Sequence, residues 1–252
     1  MRDNDIKRHI YKIGAWSALI AAIIFRRNLD AEYYLFREIG LFTGPIESAP
    51  DSAAGWVHLM QTQPLLGLIL LNAFDLFNIA LIGFIFISIV ILLWKKNPYL
   101  MGITAILTIS AIAYFFFTNQ AITIYQLSMK IFHMDAIQQA QYIGQVESLL
   151  QLHYSNHYSP ESIYPSYLLI SLAGLLLGTQ MLKSTTFTKS CAWMGILANG
   201  IALTYWGFHF YLPNVEFIAP AISAIFLLIW YILIGIQLLK YANSLSTINN
   251  QT

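Results

Sequence analysis

The stretch "LLNAFDLFNIAL", residues 70–81, places one acid between two amides inside a strongly apolar run. At about 100° per residue, Asn72, Asp75 and Asn78 fall within about 120° of one helix face and form a single polar stripe. An ionised carboxylate in the middle of a bilayer costs about 3 kcal/mol even on the mildest scale, so the stripe must face protein or water. A carboxylate in such a place can hold a proton or a cation, and the amides supply hydrogen bonds.

Three further polar residues are predicted to lie at the same depth as Asp75. The turn "KKNP" is so short that the apolar runs on either side must be antiparallel neighbours. From this turn, Asp75 and Asn119 are each reached after about 28 to 30 Å of helix, and His209 lies about 27 Å above Cys191. The predicted ligand-binding residues are Asp75, Asn72, Asn78, Asn119, Gln120 and His209.

This layer has two interpretations at the level of the sequence. The polar side chains either line a pocket that opens to the outer side, or form a buried amide and carboxyl network that only sets the register of the helices. The predicted common layer depends on the two long hairpin helices being neither broken nor strongly bent.

Few other side chains in the sequence could bind a metal or take part in catalysis. His153 and His157, four residues apart, could bind zinc or copper on one helix face, with Glu147, Glu161 or His58 as further ligands. The polar segment that holds the pair is not predicted to be helical, so we assign no metal. The chain contains no HExxH, no G-x-S-x-G and no nucleotide-binding glycine loop. We therefore assign no catalytic residue and no cofactor.

The composition indicates a membrane protein. Of 252 residues, 58% are hydrophobic and 10% are charged, which leaves too little polar surface to cover a soluble protein of this size. The net charge of +1, without a dense basic stretch, argues against a nucleic-acid partner. Cys191 is the single cysteine, which excludes an intrachain disulfide and a four-thiolate metal site. The lipid bilayer is the predicted partner.

Six apolar segments have the length of transmembrane helices, and they predict an all-α polytopic membrane bundle that forms one domain over residues 1–252. The segments are Ile10–Phe25, Leu65–Trp94, Tyr99–Leu127, Tyr164–Leu182, Cys191–Tyr211 and Val215–Leu239. Small residues predict close helix packing at Gly14, Ala18, Ala22, Gly174 and Gly178. Pro220 is expected to kink the last span.

The positive charges predict the orientation. If both termini are cytoplasmic, the inner segments contain nine of the lysines and arginines: Arg2, Lys7, Arg8, Lys12, Lys95, Lys96, Lys183, Lys189 and Lys240. The longer outer segments contain only Arg26, Arg27, Arg37 and Lys130. The positive-inside rule then favours a multi-pass protein of the cytoplasmic membrane with both termini in the cytoplasm.

Two outer connections are too long to be plain turns. Residues 135–152 begin with Asp135 as a predicted N-cap and repeat apolar residues at helical spacing, which predicts an amphipathic helix on the outer face. Residues 30–62 have a similar but interrupted pattern. The complete prediction is a bundle of six transmembrane helices with a long hairpin of the second and third spans and two outer amphipathic segments.

Several strings also carry a family resemblance. In order along the chain they read "WVHLMQTQPLLGLILLNAFDLFN", "AYFFFTNQAITIYQLS", "SYLLISLAGLLLGTQMLKSTTFTK" and "GILANGIAL". In this order and spacing, from Trp56 to the last span, they resemble the bacterial membrane family catalogued as domain of unknown function 4386. The resemblance implies a six-span bacterial membrane protein without an established biochemical activity, and it supplies no catalytic residues.

Three classes of function follow from these patterns. We expect a non-catalytic membrane protein that binds a small molecule, a lipid or a partner at an outward-facing polar pocket. The first alternative is a transporter in which Asp75 carries a proton or a cation, although the sequence contains no internal repeat and no second acid deeper in the bundle. The second alternative is a membrane enzyme that uses Asp75 and His209 as acid and base.

Overall fold

The structure is a computed structural model that describes residues 3–25, 50–131, 134–153, 164–211 and 218–249. Within these segments the side chains of residues 4–24, 50–131, 134–151, 164–205, 211 and 218–245 are described. The described residues are helical apart from short turns, and they contain no strand. The helices are α1 (Asp3–Phe25), α2 (Ala53–Thr62), α3 (Pro64–Leu70), α4 (Asp75–Leu93), α5 (Pro98–Thr118), α6 (Ala121–Ile131), α7 (Ala136–His153), α8 (Tyr164–Met181), α9 (Lys189–Tyr211) and α10 (Ile218–Asn249).

Three stretches of the described chain are long and apolar enough to cross a membrane: Asp75–Leu93, Pro98–Ile131 and Ile218–Leu245. The all-helical prediction is confirmed for the described residues, and these three stretches make the chain compatible with a membrane protein. The chain divides into two compact units. The first unit contains Met1–Leu29, Asn78–Ile112 and Tyr167–Thr252, and the second contains Asp30–Phe77 and Ala113–Ser166.

Close contacts at small residues hold the first unit together. α1 and α9 both pack along α10. Gly14 of α1 lies against the side chain of Ser88 in α4, and the Ser88 hydroxyl donates a hydrogen bond of 3.0 Å to Ile10 O. Gly174 of α8 lies against the amide of Asn199 in α9. The predicted packing role of the small residues is confirmed, since a larger side chain at Gly14 or Gly174 would meet a neighbouring helix at once.

An aromatic cluster fills the centre of the first unit. The ring of Trp230 is fully buried, contacts Phe86 edge-to-face at 5.8 Å and stacks on Tyr231 at 5.9 Å. A Cβ atom added to Gly195 would lie 2.5 Å from Cε2 of the indole. The glycine therefore makes room for the ring, and α9 and α10 approach each other closely because a Cβ is missing.

The second unit has its own apolar core, built from short helices. Helices α2, α3, α6 and α7 contact one another, and Trp56 and Met60 of α2 lie in the core without any exposed surface. The Gln61 amide donates a hydrogen bond of 2.8 Å to Ser128 O, which joins α2 to α6. Mutual burial explains the stability of these helices, because helices of this length are marginal in isolation.

Helix α7 confirms the amphipathic prediction for residues 135–152. The Asp135 carboxylate accepts a hydrogen bond of 2.9 Å from Gln138 N, as expected of an N-cap. Val146 and Leu150 are buried in the core of the second unit, whereas Ala140, an apolar residue at the same helical spacing, is exposed. The buried face is therefore narrower than the sequence pattern suggested. Of the other outer segment, 30–62, only residues 50–62 are described.

Two predictions about helix continuity are wrong. Leu65–Trp94 is not one helix, because residues 71–74 form a turn between α3 and α4. Tyr99–Leu127 is likewise interrupted between α5 and α6, at residues 119–120. The kink expected at Pro220 stays a prediction, because residues 212–217, just before the described start of α10, are outside the described residues.

Candidate functional site

Helix α3 ends in a Schellman motif centred on Asn72. Ala73 N donates to Leu68 O and Asn72 N donates to Ile69 O, each at 2.9 Å. Asn72 has φ 54°, the only positive φ among the described non-glycine residues. Asparagine tolerates this left-handed conformation better than most residues. The amide that the sequence placed in a polar stripe is therefore the residue that stops the helix.

Asp75 begins the next helix. Its N–H donates to Asn72 O at 3.2 Å, and its half-buried side chain lies in the first turn of α4. A carboxylate is favoured at this position because the dipole of the helix places positive charge at its start. Asp75 thus occurs inside an apolar run for a structural reason, because it begins a new helix after the break.

Side chains replace backbone hydrogen bonds at the junction of α5 and α6. In a continuous helix Ala121 N would bond to Phe117 O. Here Ala121 N donates to the side-chain oxygen of Asn119 at 3.1 Å, and Phe117 O accepts from the Gln120 amide at 2.9 Å. The two polar residues therefore interrupt the helix and satisfy the groups that the interruption releases.

A hydrogen bond joins the two interruptions. The Asn119 amide donates to Asn72 O at 2.9 Å, across 47 positions in sequence. Asn119 is buried, so one side chain caps the start of α6 and also holds the turn that ends α3. We name the four residues Asn72, Asp75, Asn119 and Gln120 the paired break. The hydrogen bond brings Asn119 beside Asn72. The common level predicted for Asp75 and Asn119 was counted along two unbroken helices, and because both helices are interrupted here, that count no longer supports it.

The other two predicted site residues, Asn78 and His209, belong to the first unit. Asn78 is buried, and its side-chain oxygen has no hydrogen-bond partner among the described residues. The backbone of His209 lies in α9, but its side chain is outside the described residues. The pairing of Asp75 with His209 in an enzyme therefore stays a prediction.

Hydroxyl and amide groups deep in the helices bond to backbone carbonyls. Thr104 donates to Leu100 O at 2.8 Å, and the buried Ser223 donates from α10 to Ala198 O of α9 at 2.8 Å. The buried Asn199 donates to Gly195 O of its own helix at 2.8 Å. These groups serve packing and helix geometry. The sequence analysis did not single out Ser223, and nothing in its local sequence distinguishes it from a serine that bonds to its own helix.

The described residues contain no group of three or more His, Cys, Asp or Glu side chains close enough to hold a metal ion. His58 lies on the exposed face of α2. The side chain of His153 and all of His157 are outside the described residues, so the histidine pair considered for zinc or copper stays a prediction.

Comparisons with protein-family models, with curated proteins and with solved structures found no match to this chain. The resemblance to domain of unknown function 4386 therefore stays a prediction from four sequence strings. The function has to be argued from the paired break and from the distribution of charge.

Proposed function

We propose that this protein is a six-span bacterial membrane protein that binds a small molecule, a lipid or a partner at its outer side and catalyses no reaction. In this proposal the ligand binds at the paired break, where Asp75 supplies a carboxylate and Asn72, Asn119 and Gln120 supply amides. Asn78 and His209 belong to the other unit and are not part of this proposed site. Both termini lie in the cytoplasm, and the protein resides in the cytoplasmic membrane.

The observation that carries the proposal is the interruption of two apolar helices at one polar bridge. Breaking a helix in an apolar environment releases backbone polar groups, and such breaks are tolerated where the backbone is buried in protein or lines a cavity. Asp75 is half-buried at this bridge. An acidic side chain beside an irregular backbone is a combination that membrane proteins use for binding.

The position of the charges favours binding over passage through the membrane. In the three candidate spans, Asp, Glu, Lys and Arg occur only near the ends, at Asp75, Lys130 and Lys240. A pathway for a proton or a cation needs polar groups at several depths. Among the described residues, the deeper hydroxyls and amides discussed above already bond to backbone carbonyls.

Native mass spectrometry of the full chain in a mild detergent tests the proposal. We expect the wild-type protein to retain a bound molecule and Asp75→Asn to lose it. Asp135→Asn is the matched control, because it makes the same charge change in the same unit and asparagine still caps α7. If the two variants retain the molecule equally, the paired break has only a structural role. The same holds if the wild-type protein retains nothing and Asp75→Asn lowers only the stability of the protein.

Transport is the second candidate, and the discontinuous helices favour it, since many secondary transporters bind their substrates at such breaks. The test is proton-coupled uptake in vesicles reconstituted with the full chain. A flux that Asp75→Asn abolishes and Asp135→Asn preserves would replace the binding proposal with this one.

The proposed orientation has a separate test. Green fluorescent protein fused after residue 252 should be fluorescent, and alkaline phosphatase fused at the same position should be inactive, because the first folds in the cytoplasm and the second needs the oxidising outer side. The reverse pair of results would place the C-terminus outside.

A further inference from the structure

One end of the first unit gathers several turns and helix ends. The Lys96 ammonium group, in the turn after α4, donates a hydrogen bond of 2.9 Å to Lys183 O, in the turn after α8. Thr188 N, just before α9, donates to the side-chain oxygen of Gln237 in α10 at 2.8 Å. The two turns and the last part of α10 therefore lie at a common end of the unit.

The first half of α1 reaches the same end. The rings of Tyr11 in α1 and Tyr241 in α10 pack edge-to-face with centroids 5.4 Å apart. Every described lysine and arginine except Lys130 lies on these turns, in the first half of α1, at the start of α9 or in the last part of α10, where Asp5 is the only described acid side chain. The end therefore carries a large excess of positive charge, which its own acid cannot balance.

Arg8 is a specific feature within this basic end. It lies one turn before Tyr11 and Lys12, on a helix whose Tyr11 side packs against α10. The Nε atom of Arg8 is buried and has no hydrogen-bond partner among the described residues. A buried guanidinium N–H without an acceptor is costly, and phosphate oxygens match the geometry of arginine donors.

We propose that the seam between α1 and α10 at this basic end binds the phosphate headgroup of an anionic phospholipid. Arg8, Lys12 and Lys240 supply the positive charge, and the rings of Tyr11 and Tyr241 form the apolar part of the seam. A lipid is the occupant because the helices beside this seam include one that is apolar enough to lie in a bilayer. The charge excess selects an anionic headgroup over a zwitterionic one.

Lipid retention by the full chain tests this proposal. The purified protein is titrated with phosphatidylglycerol or phosphatidylcholine in mixed micelles, and the retained lipid is counted by native mass spectrometry. We expect selective retention of phosphatidylglycerol. Arg8→Gln removes one cation near the headgroup, so this variant should bind phosphatidylglycerol about fivefold more weakly. Lys130→Gln is the matched control, because it removes an exposed lysine from the second unit, and it should change nothing.

A double variant keeps the test open if Arg8→Gln does not fold. Lys12→Gln combined with Lys240→Gln removes two of the proposed contacts and should weaken phosphatidylglycerol retention more than Lys130→Gln does. Equal retention of both lipids, or equal affinity in the seam variants and the control, would overturn the proposal. Full displacement of the lipid by millimolar inorganic phosphate would also overturn it, since the site would then bind a free anion. This test is independent of the paired break.

Discussion

The contact between Gly195 and Trp230 makes a quantitative prediction about how α9 and α10 pack. In Gly195→Ala the new methyl group would lie 2.5 Å from Cε2 and 2.6 Å from Nε1 of the indole. The ring cannot move away easily, because it is fully buried between Phe86 and Tyr231. Overpacking of a rigid site costs about 3 kcal/mol, at the upper end of its usual range.

Gly200 supplies the matched control on the same helix. A Cβ atom added at Gly200 would meet nothing within 4 Å. Both alanine substitutions raise the helix propensity of α9 by the same amount, about 1 kcal/mol, so the difference between them isolates the clash. We therefore expect Gly195→Ala to be net destabilised by about 2 kcal/mol, or about 30-fold in the unfolding equilibrium. Gly200→Ala should be about 1 kcal/mol more stable than the wild-type protein, because it gains the helix propensity without a clash.

Reaction of Cys191 with a fluorogenic maleimide provides the assay. This is the only cysteine in the chain, it is fully buried, and it lies one helical turn before Gly195. Detergent-solubilised variants are titrated with SDS, and the midpoint of thiol exposure is compared. Trp230→Phe, which removes part of the ring, should reduce the cost of Gly195→Ala to less than half. If Gly195→Ala and Gly200→Ala differ by less than about 0.5 kcal/mol, the packing argument is refuted.

Three further predictions concern single residues and use the same SDS titration or thiol labelling. Asn119→Ala should lose about 1 to 2 kcal/mol, because one side chain makes two hydrogen bonds, whereas the exposed Gln141→Ala should lose none; equal stabilities would contradict this. Asn72→Gly should fold normally and Asn72→Val should lose at least about 1 to 2 kcal/mol, since valine resists a φ of 54°; a stable valine variant would count against the Schellman end of α3. Cys191 should resist maleimide in the folded protein, while a cysteine placed at the exposed Ser190 should react at once; rapid labelling of Cys191 would show that its burial is wrong.

Local sequence patterns anticipated much of the helical structure. Asp135 before an apolar repeat predicted the cap and the buried face of α7, since capping depends on only a few neighbouring residues. The small residues of α1 and α8 predicted close packing, and their contacts with Ser88 and Asn199 agree. The sequence could not identify those partners, because spacing along one helix does not reveal which helix lies opposite.

The paired break marks the point at which local reasoning failed. Apolar periodicity predicted two long helices, because the pattern is insensitive to a single residue in the left-handed conformation. A signal was present at Asn72, because asparagine is a common residue at the end of a helix. This signal became decisive only through Asn119, 47 positions away in the sequence, because the side-chain amide of Asn119 donates a hydrogen bond to the carbonyl of Asn72.

By itself, the sequence determined an apolar, all-helical chain compatible with a membrane, a cap at Asp135, and an acid flanked by amides. These features depend on composition and on neighbours within a turn or two. Only the tertiary structure decided that Asp75 begins a helix, that Asn119 bridges two interruptions and that Gly195 receives the ring of Trp230. The physical reason is that each of these depends on a partner brought close by folding, which supplies a hydrogen bond or a surface that no local pattern encodes.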